Sequence, residues 1–491
     1  MRPEDREMKQ WSLHIAGLLI ALSALMGTAL AQQPYWIRHY TPGDTAKAMV
    51  VDGGGNVYVT GQGWQFGTGN DYVTVMYDRN GNMVWGQRYS GMGQPADDIA
   101  NGIALDPAGN VIVTGTLTVA QLGYWGSAYG TVKYYLNGAQ AWVRRYFGPQ
   151  TYYSVDFANA IATDNLGNIY VTGGSRADFS AEDIATVSYN PNGIERWVRR
   201  VQGDGFSQDS GYAIATTPRT NEIYVAGKQG SYGTLIKYNS SGSQLWTTVE
   251  TAWQGYFSSM VVDTQGNVYV SGLQAGATAN YVVIKYNSSG IRQWLRAYDG
   301  GGSDYATAVQ VDWEGNVYVT GYSQGAGTGY DYVTIKYDRN GNQQWLRRYD
   351  FGDDRAAAMA VWLLTGDVYV TGKSANKIAT VHYNTNGDLM WVRRYEHRDG
   401  GAIGVALIET LEGQDVYVAG STQSDFTIIK YPSCYIAGDV NADCCVDDSD
   451  LLAVLFAFGE SNIDLSEDLN NDGAVDDADL LMVLFHFGNG C

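Results

Sequence analysis

Two acidic segments near the C-terminus carry the residue pattern that most clearly indicates chemistry. Each is twelve residues long, and they begin 29 residues apart. Oxygen-bearing side chains occupy positions 1, 3, 5, 9 and 12 of both segments, and position 7 offers a backbone carbonyl. The predicted ligands are Asp439, Asn441, Asp443, Cys445, Asp447 and Asp450, then Asp468, Asn470, Asp472, Ala474, Asp476 and Asp479. Ca²⁺ prefers about six to eight oxygen ligands at this spacing. The sequence therefore predicts two Ca²⁺ sites.

An apolar segment follows each acidic segment. The residues concerned are Leu451, Leu452, Leu455 and Phe458, then Leu480, Leu481, Leu484 and Phe487. Spacings of three and four residues are typical of one helix face. We expect two helices that bury these faces against each other. Because Ca²⁺ offsets the repulsion among the carboxylates, folding of this tail is expected to require the metal.

This duplicated loop-and-helix pattern resembles a type I dockerin with two EF-hand-like loops, over residues 434–491. The resemblance implies a small α-helical domain and a protein partner, cohesin, that contacts positions 10 and 11 of the loops. Those positions hold Asp448 and Ser449, then Asp477 and Ala478, and no Lys or Arg follows. The usual cohesin partner is therefore not expected, and a module that attaches or stabilises the chain is the prediction.

The four Cys of the chain, Cys434, Cys444, Cys445 and Cys491, all lie in this tail. Disulfide bonds are expected in an exported chain, and the spacing leaves the three possible pairings open. Cys444 also occupies position 6 of the first loop, where the sharp turn favours Gly. The first Ca²⁺ site is therefore expected to be the weaker one.

The N-terminal residues predict export. An apolar segment ends at Ala29-Leu30-Ala31, a pattern of small residues typical of signal-peptide cleavage. Residues 1–31 are predicted to be a signal peptide, with Met8 the better start because acidic residues precede it. A retained membrane anchor is the alternative, although the segment is short for a spanning helix. The predicted location is extracellular or at the cell surface. A formal net charge of −20 argues against a nucleic-acid partner.

Residues 32–433 contain eight copies of one strand pattern. A V-Y-V-T-G-like segment is followed by a second strand that ends in Tyr, and a turn then leads to a strand built on Trp. The segments end at Gly61, Gly115, Gly173, Gly227, Gly272, Gly321, Gly372 and Gly420. An alternating strand precedes each segment. Four strands in a repeat of about 50 residues are typical of a propeller blade.

The eighth copy lacks its Trp strand, and a matching strand lies at the start of the mature chain. Residues 36–40 match the Trp strand 391–395 of the seventh copy. Pairing this strand with the one that ends at Tyr431 removes the open edges of the array. We predict an all-β, eight-bladed β-propeller closed by its N-terminal strand, with seven blades as the alternative. The repeats resemble the bacterial beta-propeller repeat (SBBP) family, which implies this fold and leaves the function open.

Link lengths predict which face of the ring binds a ligand. First-to-second and third-to-fourth links are tight turns on one face. Second-to-third and blade-to-blade links lie on the other face and are longer, as in 62–70, 116–129 and 146–159. Aromatic residues there are candidates for a glycan or protein site: Trp64, Phe66, Trp125, Tyr152, Tyr153 and Trp253. The alternative is that they only cover the blades. The Trp of the fourth strands are expected to pack between blades.

No spacing of His, Ser or Cys in the chain predicts a catalytic triad. We expect a secreted, non-enzymatic binding or scaffold protein, with a calcium-dependent tail that attaches or stabilises it. The alternative is a secreted carbohydrate-active enzyme whose propeller is the catalytic domain, because paired carboxylates serve glycoside hydrolysis. The sequence leaves that alternative open.

Overall fold

The computed structural model describes residues 35–431, apart from 42, 44, 92–95, 122–123, 150–154, 177–180, 204–206, 326, 328, 396–397 and 411–412. In the tail it describes 438, 440, 446–460, 467, 469 and 474–488. The predicted signal peptide and the four Cys lie outside these residues. None of the helices described is long and apolar enough to cross a membrane. The chain divides into two compact units: the larger comprises Pro34–Met390 and Arg394–Cys434, and Tyr435–Cys491 belongs to the other.

The larger unit consists of antiparallel sheets built on four strands each. Strand β1, Trp36–Tyr40, comes first in the chain. Blade 1 contains β2 Thr45–Val51, β3 Val57–Gln65, β4 Gly69–Tyr77 and β5 Met83–Tyr89, and the short β6, Ala96–Asp97, pairs with β4. Blade 2 contains β7 Ile99–Leu105, β8 Val111–Gln121, β9 Tyr124–Tyr134 and β10 Gln140–Tyr146. Blade 3 contains β11 Asp156–Thr163, β12 Ile169–Arg176, β13 Glu182–Tyr189 and β14 Glu195–Val201.

The remaining blades repeat this order. Blade 4 contains β15 Ser210–Thr216, β16 Ile223–Gln229, β17 Tyr232–Tyr238 and β18 Gln244–Val249. Blade 5 contains β19 Gln254–Val262, β20 Val268–Ala275, β21 Asn280–Tyr286 and β22 Arg292–Tyr298. Blade 6 contains β23 Asp304–Val311, β24 Val317–Gln324, β25 Tyr330–Tyr337 and β26 Gln343–Tyr349. Blade 7 contains β27 Asp354–Val361, β28 Val368–Ser374, β29 Lys377–Tyr383 and β30 Leu389–Tyr395. Blade 8 contains β31 Gly400–Thr410, β32 Gly413–Thr422 and β33 Asp425–Tyr431, and is completed by β1.

The eight sheets close into a ring. First strands of neighbouring blades contact one another in the order β2, β7, β11, β15, β19, β23, β27 and β31, and β31 contacts β2. Strand β1 pairs with β33 from Trp36 opposite Lys430 to Tyr40 opposite Phe426. Eight blades and closure by the N-terminal strand are therefore confirmed, and the seven-blade alternative is wrong.

Seven tryptophans of the fourth strands join neighbouring blades, as predicted. Each indole Nε1–H donates to a backbone carbonyl in the third-to-fourth turn of the following blade, over 3.0–3.2 Å, from Trp36, Trp85, Trp142, Trp197, Trp246, Trp294 and Trp345. The glycine of that turn packs against the indole ring of the Trp. A Cβ on Gly341 would lie 2.8 Å from Trp294, and its φ of +81° also favours glycine. Sequence repetition thus becomes repeated packing between blades.

The second-to-third links are shorter than the sequence predicts. Residues 62–65 and 69–70 continue β3 and β4, so the link between them is only 66–68. In blade 2, 116–121 and 124–129 likewise belong to β8 and β9. Polar and glycine-rich residues extend the hairpins here because cross-strand pairing satisfies their backbone N–H and C=O groups. We call this side of the ring, which also carries the blade-to-blade links, the hairpin face, and the opposite side the turn face.

The tail contains the two expected helices, α1 Asp448–Ala457 and α2 Asp477–His486. Its core is small and aliphatic, formed by Val446, Val454, Ala457, Val475 and Val483. Leu451 and Leu480 pack against that core, as predicted. The other six predicted core residues are 46–49% exposed instead, because valines one turn along the helices take the inward positions: Leu452, Leu455, Phe458, Leu481, Leu484 and Phe487.

Candidate functional site

The aromatic residues predicted for the hairpin face do not form one site. Trp64 and Phe66 lie at the β3–β4 hairpin of blade 1 and are 56% and 89% exposed. Trp253 precedes β19 of blade 5 and packs edge-on against Phe257, with ring centroids 6.1 Å apart. Blades 1 and 5 are opposite each other in an eight-bladed ring. Trp64 and Trp253 therefore cannot contact the same small ligand.

The other three predicted aromatic residues come from blade 2 and the link after it. Trp125 is the second residue of β9, in the extended hairpin. Tyr152 and Tyr153 lie outside the described residues. Their part in a ligand site stays a prediction.

Buried aspartates at the first strands fasten the blade-to-blade links. The carboxylate Oδ2 of Asp98 accepts from the backbone N–H of Gly91 over 2.6 Å, and Asp156 Oδ2 accepts from Gly148 over 2.8 Å. These two carboxyl groups and that of Asp304 are at most 1% exposed, and burial raises the pKa of all three. They act as anchors within the ring rather than as a surface for ligands.

A cluster of five tyrosines lies on the hairpin face at the centre of blades 4–6. We call it the tyrosine platform, and it consists of Tyr212, Tyr256, Tyr305, Tyr322 and Tyr330. Tyr305 stacks on Tyr322 with centroids 5.0 Å apart, and Tyr330 meets Tyr322 edge-on at 5.2 Å. Tyr212 and Tyr256 are 5.7 Å apart. The rings are partly exposed, so aromatic surface is present on three neighbouring blades.

One guanidinium borders the platform. Arg355 of blade 7 lies 4.7 Å from the ring centroid of Tyr330 and 5.8 Å from that of Tyr322. Its Nε is 3.4 Å from a carboxylate oxygen of Asp353, so its charge is largely balanced. Burial raises the pKa of Tyr256 and Tyr322, with Arg355 partly opposing the shift at Tyr322. These hydroxyl groups are therefore protonated at neutral pH.

The platform could be read from the sequence only in part. Tyr256, Tyr305 and Arg355 share one register position, just before the residue that pairs with the V-Y-V-T-G glycine. That repeat position therefore identifies residues that lie at the same height in the propeller. Tyr322 lies directly opposite Tyr305 on the neighbouring strand, and Tyr330 lies on the next strand, two residues from the partner of Tyr322, so the three meet through the register of one sheet.

Four predicted ligands in the tail form the same arrangement twice. Asp447 accepts from the backbone N–H of Ser449 over 2.8 Å, and Asp450 Oδ2 accepts from the N–H of Asp447 over 2.9 Å. Asp476 and Asp479 repeat this geometry at α2. These are capping boxes, which position two carboxylates at the start of each helix.

The position-12 carboxylates are the buried members of these pairs. Asp450 and Asp479 are both fully buried. No Lys or Arg occurs anywhere in residues 434–491, which carry 13 Asp and Glu. The backbone N–H groups of Val440 and Asp447 are among the donors to Asp450. Ala474 belongs to the described residues, whereas Asp439, Asn441, Asp443, Cys445, Asp468, Asn470 and Asp472 lie outside them.

The two halves of the tail are joined reciprocally. Gly459 N–H, after α1, donates to the carbonyl of Val475 over 2.8 Å, and Gly488 N–H, after α2, donates to that of Val446 over 2.7 Å. Equivalent positions are 29 residues apart, as in the sequence repeat. The exposed apolar residues follow the same symmetry, since Phe456 and its equivalent on α2 are 84% and 69% exposed.

Comparisons with known proteins support the propeller. Residues 142–180, which run from the fourth strand of blade 2 into blade 3, match the family described as SBBP, beta-propeller repeat. The crystal structure of Chaetomium thermophilum Sqt1 is similar at 13% identity, with 82% of this chain and 97% of that chain covered and a TM-score of 0.52. The Dos1 propeller is similar at 10% identity, with 81% and 95% covered and a TM-score of 0.56. No curated protein sequence matches significantly. These similarities show the fold alone.

Proposed function

We propose that this protein is an exported, non-enzymatic propeller that binds a glycan or a protein on its hairpin face. The observation that carries the proposal is the tyrosine platform. None of its five hydroxyl groups has a hydrogen-bond partner among the described residues, so each is available to a ligand. Rigid aromatic rings that keep a polar group are typical of binding surfaces.

The test compares two surfaces on the same face. Tyr305→Ala and Tyr330→Ala remove the centre of the platform, and Trp64→Ala removes an exposed ring in blade 1. Retention is measured on immobilised polysaccharides and on arrayed extracellular proteins, with reducing-end release assayed in parallel. We expect the platform variants to bind at least about tenfold more weakly, and Trp64→Ala to match the parent. Equal retention by all variants contradicts the platform, and release of sugar supports the alternative, a carbohydrate-active enzyme.

The tail is proposed to fold around two Ca²⁺ ions, held by the twelve residues that the spacing identifies. Two fully buried carboxylates, Asp450 and Asp479, in a segment without Lys or Arg support this assignment. Burying carboxylates in so acidic a segment is costly, and a divalent cation bound by their oxygens offsets that cost. Bound Ca²⁺ would supply charge balance and hold each loop against its helix.

Chelation tests the metal directly. Removing Ca²⁺ with EGTA is expected to abolish the helical circular dichroism of α1 and α2 and to leave the β signal of the ring. Asp479→Asn keeps the capping oxygen but removes the charge, so it is expected to weaken Ca²⁺ binding at least about tenfold. Asp477→Asn, in the same helical turn, is the matched control. Unchanged helicity in EGTA refutes the calcium loops.

The tail is further proposed to attach the protein to a partner protein, as a dockerin-like module does. The supporting observation is the symmetric pair of exposed apolar helix faces, since large exposed apolar patches mark interaction surfaces. Phe456→Asp together with Phe485→Asp is expected to release the protein from the cell-surface fraction. Release by EGTA but not by the double variant would show that other residues make the contact.

Export and disulfide formation are part of the same proposal. The mature chain is expected to begin near Gln32, which N-terminal sequencing of the secreted protein measures. Mass spectrometry of non-reduced peptides identifies any pairing among Cys434, Cys444, Cys445 and Cys491. A retained N-terminus would favour the membrane anchor, and four free thiols would rule out the disulfides.

A further inference from the structure

Two equivalent grooves open on the turn face, between neighbouring blades. One, of about 360 Å³, lies between blades 2 and 3 and contains Lys133 and Asn165. The other, of about 650 Å³, lies between blades 5 and 6 and contains Lys285 and Trp313 at the same repeat positions. Small-ligand sites are typically about 300–1,000 Å³. The repeats therefore provide an internal comparison between two grooves of one design.

The lysine on the floor of the larger groove lacks the partner that its equivalents have. Lys133, Lys237 and Lys430 form ion pairs of 2.7–2.9 Å with carboxylates. Lys336 donates to the hydroxyl and carbonyl of a threonine over 2.8 and 3.0 Å. Lys285 forms no ion pair with a described residue, and its Nζ donates only to the carbonyl of Arg339, over 3.2 Å.

An ammonium group has three N–H donors, so two of those of Lys285 are unused by the described residues. The group is partly buried above the ring of Tyr269, 5.1 Å from its centroid. Burial lowers the pKa of Lys285, with Arg339 adding to the shift and Asp263 opposing it. The free donors point to a ligand that brings oxygen acceptors into the groove.

The wall of this groove carries an exposed indole on a rigid turn. Trp313 is 80% exposed, whereas the Trp of the fourth strands are buried or half-buried. Asp312 Oδ1 accepts from the backbone N–H groups of Glu314 and Asn316 over 3.0 and 2.9 Å, which fixes the turn. The equivalent residue in the smaller groove is Asn165, whose side-chain amide N–H donates to the carbonyl of Pro218 over 2.8 Å. Only the larger of these two grooves thus combines a flat apolar surface with unused donors.

We propose that the groove between blades 5 and 6 binds a neutral pyranose unit of a saccharide. Its ring would lie on Trp313, Lys285 would donate to its hydroxyl oxygens, and the carboxylate of Glu314 would accept from its hydroxyl groups, since both oxygens of Asp312 are already occupied within the turn. The charges lining the groove are three acidic, from Asp263, Asp312 and Glu314, and two basic, from Lys285 and Arg339. This near balance favours an uncharged ligand over an acidic sugar. The proposal concerns the turn face and does not depend on the hairpin-face site.

The experiment titrates the full-length, Ca²⁺-loaded protein with cello-, xylo- and manno-oligosaccharides, and with an oligogalacturonate as the acidic probe. Calorimetry is run to about 10 mM ligand, where even a Kd of about 1 mM gives nearly full occupancy. Trp313→Ala removes the stacking surface, and Lys285→Met removes the donor while keeping the length of the side chain. Asn165→Ala is the matched change in the smaller groove. Thermal unfolding checks that each variant is folded.

We expect at least one neutral oligosaccharide to bind, with affinity about tenfold or more lower in Trp313→Ala and Lys285→Met. Asn165→Ala is expected to bind as the parent does. Because Trp313 is mostly exposed, its loss should leave the melting temperature unchanged even if Lys285→Met is less stable. Binding that survives Trp313→Ala, a preference for oligogalacturonate, or the failure of every neutral probe to bind overturns the proposal.

Discussion

Replacing Trp36 by alanine should weaken the ring where β1 completes blade 8 and should leave the other blades folded. Strand β1 is the only strand of blade 8 that comes from the start of the described chain, and it is held there by its pairing with β33. The indole of Trp36 is 6% exposed and donates to the carbonyl of Arg79 in blade 1 over 3.1 Å. Trp36 thus contributes both to the closing blade and to its contact with the first.

The magnitude follows from these contacts. Truncating a buried Trp to Ala costs about 3–5 kcal/mol, and the lost hydrogen bond accounts for about 1 kcal/mol of a change of this kind. Trp197 is a matched control because it is 7% exposed, donates to Ser240 over 3.1 Å and has an Arg guanidinium 5.6 Å from its ring, as Trp36 does. Trp197 lies in β14, which is connected through short links on both sides. Both variants should lose similar stability, but only Trp36→Ala should open one blade locally.

Hydrogen exchange read by mass spectrometry distinguishes the two outcomes. In Trp36→Ala the amides of β33 should exchange roughly 100-fold or more faster, since each 1.4 kcal/mol is tenfold. The amides of β13, beside the control position, should keep their protection in that variant. The reasoning is refuted if β33 and β13 lose protection equally in Trp36→Ala, or if the urea midpoint of Trp36→Ala equals that of the parent.

Three further changes test the packing between blades. Burial raises the pKa of Asp156, so its folded state binds the proton more tightly; its contribution to stability should grow as pH falls through the folded pKa and be complete below about 3.9. The free energy of unfolding of the parent and of Asp156→Asn is measured by urea titration between about pH 4 and 7. The parent should become more stable relative to the variant as the pH falls, and a constant difference would contradict this. Gly341→Ala should lower the free energy of unfolding by more than about 1–2 kcal/mol, the cost expected for a left-handed residue, because its Cβ would press on Trp294. Gly301→Ala, also at positive φ but with open space around it, should show only the backbone cost, and equal costs would argue against the Trp contact. Arg348→Met leaves a buried carboxylate of β25 without its guanidinium partner and should lower the free energy of unfolding by about 3 kcal/mol, measured by urea titration; a loss below about 1 kcal/mol would place this pair among the weak surface ion pairs.

The number of blades and the closure of blade 8 by the N-terminal strand were predictable because both depend on local periodicity. Two-residue alternation identifies strands, and a copy that lacks one strand predicts where that strand must come from. The same repetition places a Trp on the fourth strand of each blade. Its partner in the next blade follows once the ring is known to close.

The binding surfaces were predictable only in kind. Exposed aromatic residues were expected on the hairpin face, but Trp64 and Trp253 lie in opposite blades, whereas Tyr305, Tyr322 and Tyr330 converge. Contact among these three depends on the register of β23, β24 and β25, which the assembled sheet sets.

The sequence by itself determined the all-β repeat, the number of blades and the strand that closes them, because backbone pairing and alternating burial repeat within each copy. Only the tertiary structure decided how equivalent positions of the copies differ in their surroundings. Five equivalent positions carry lysine, yet Lys285 alone among them has neither a carboxylate nor a hydroxyl partner among the described residues. Its environment comes from two different blades, and the charge and space at a blade junction are properties of the assembled ring rather than of any single repeat.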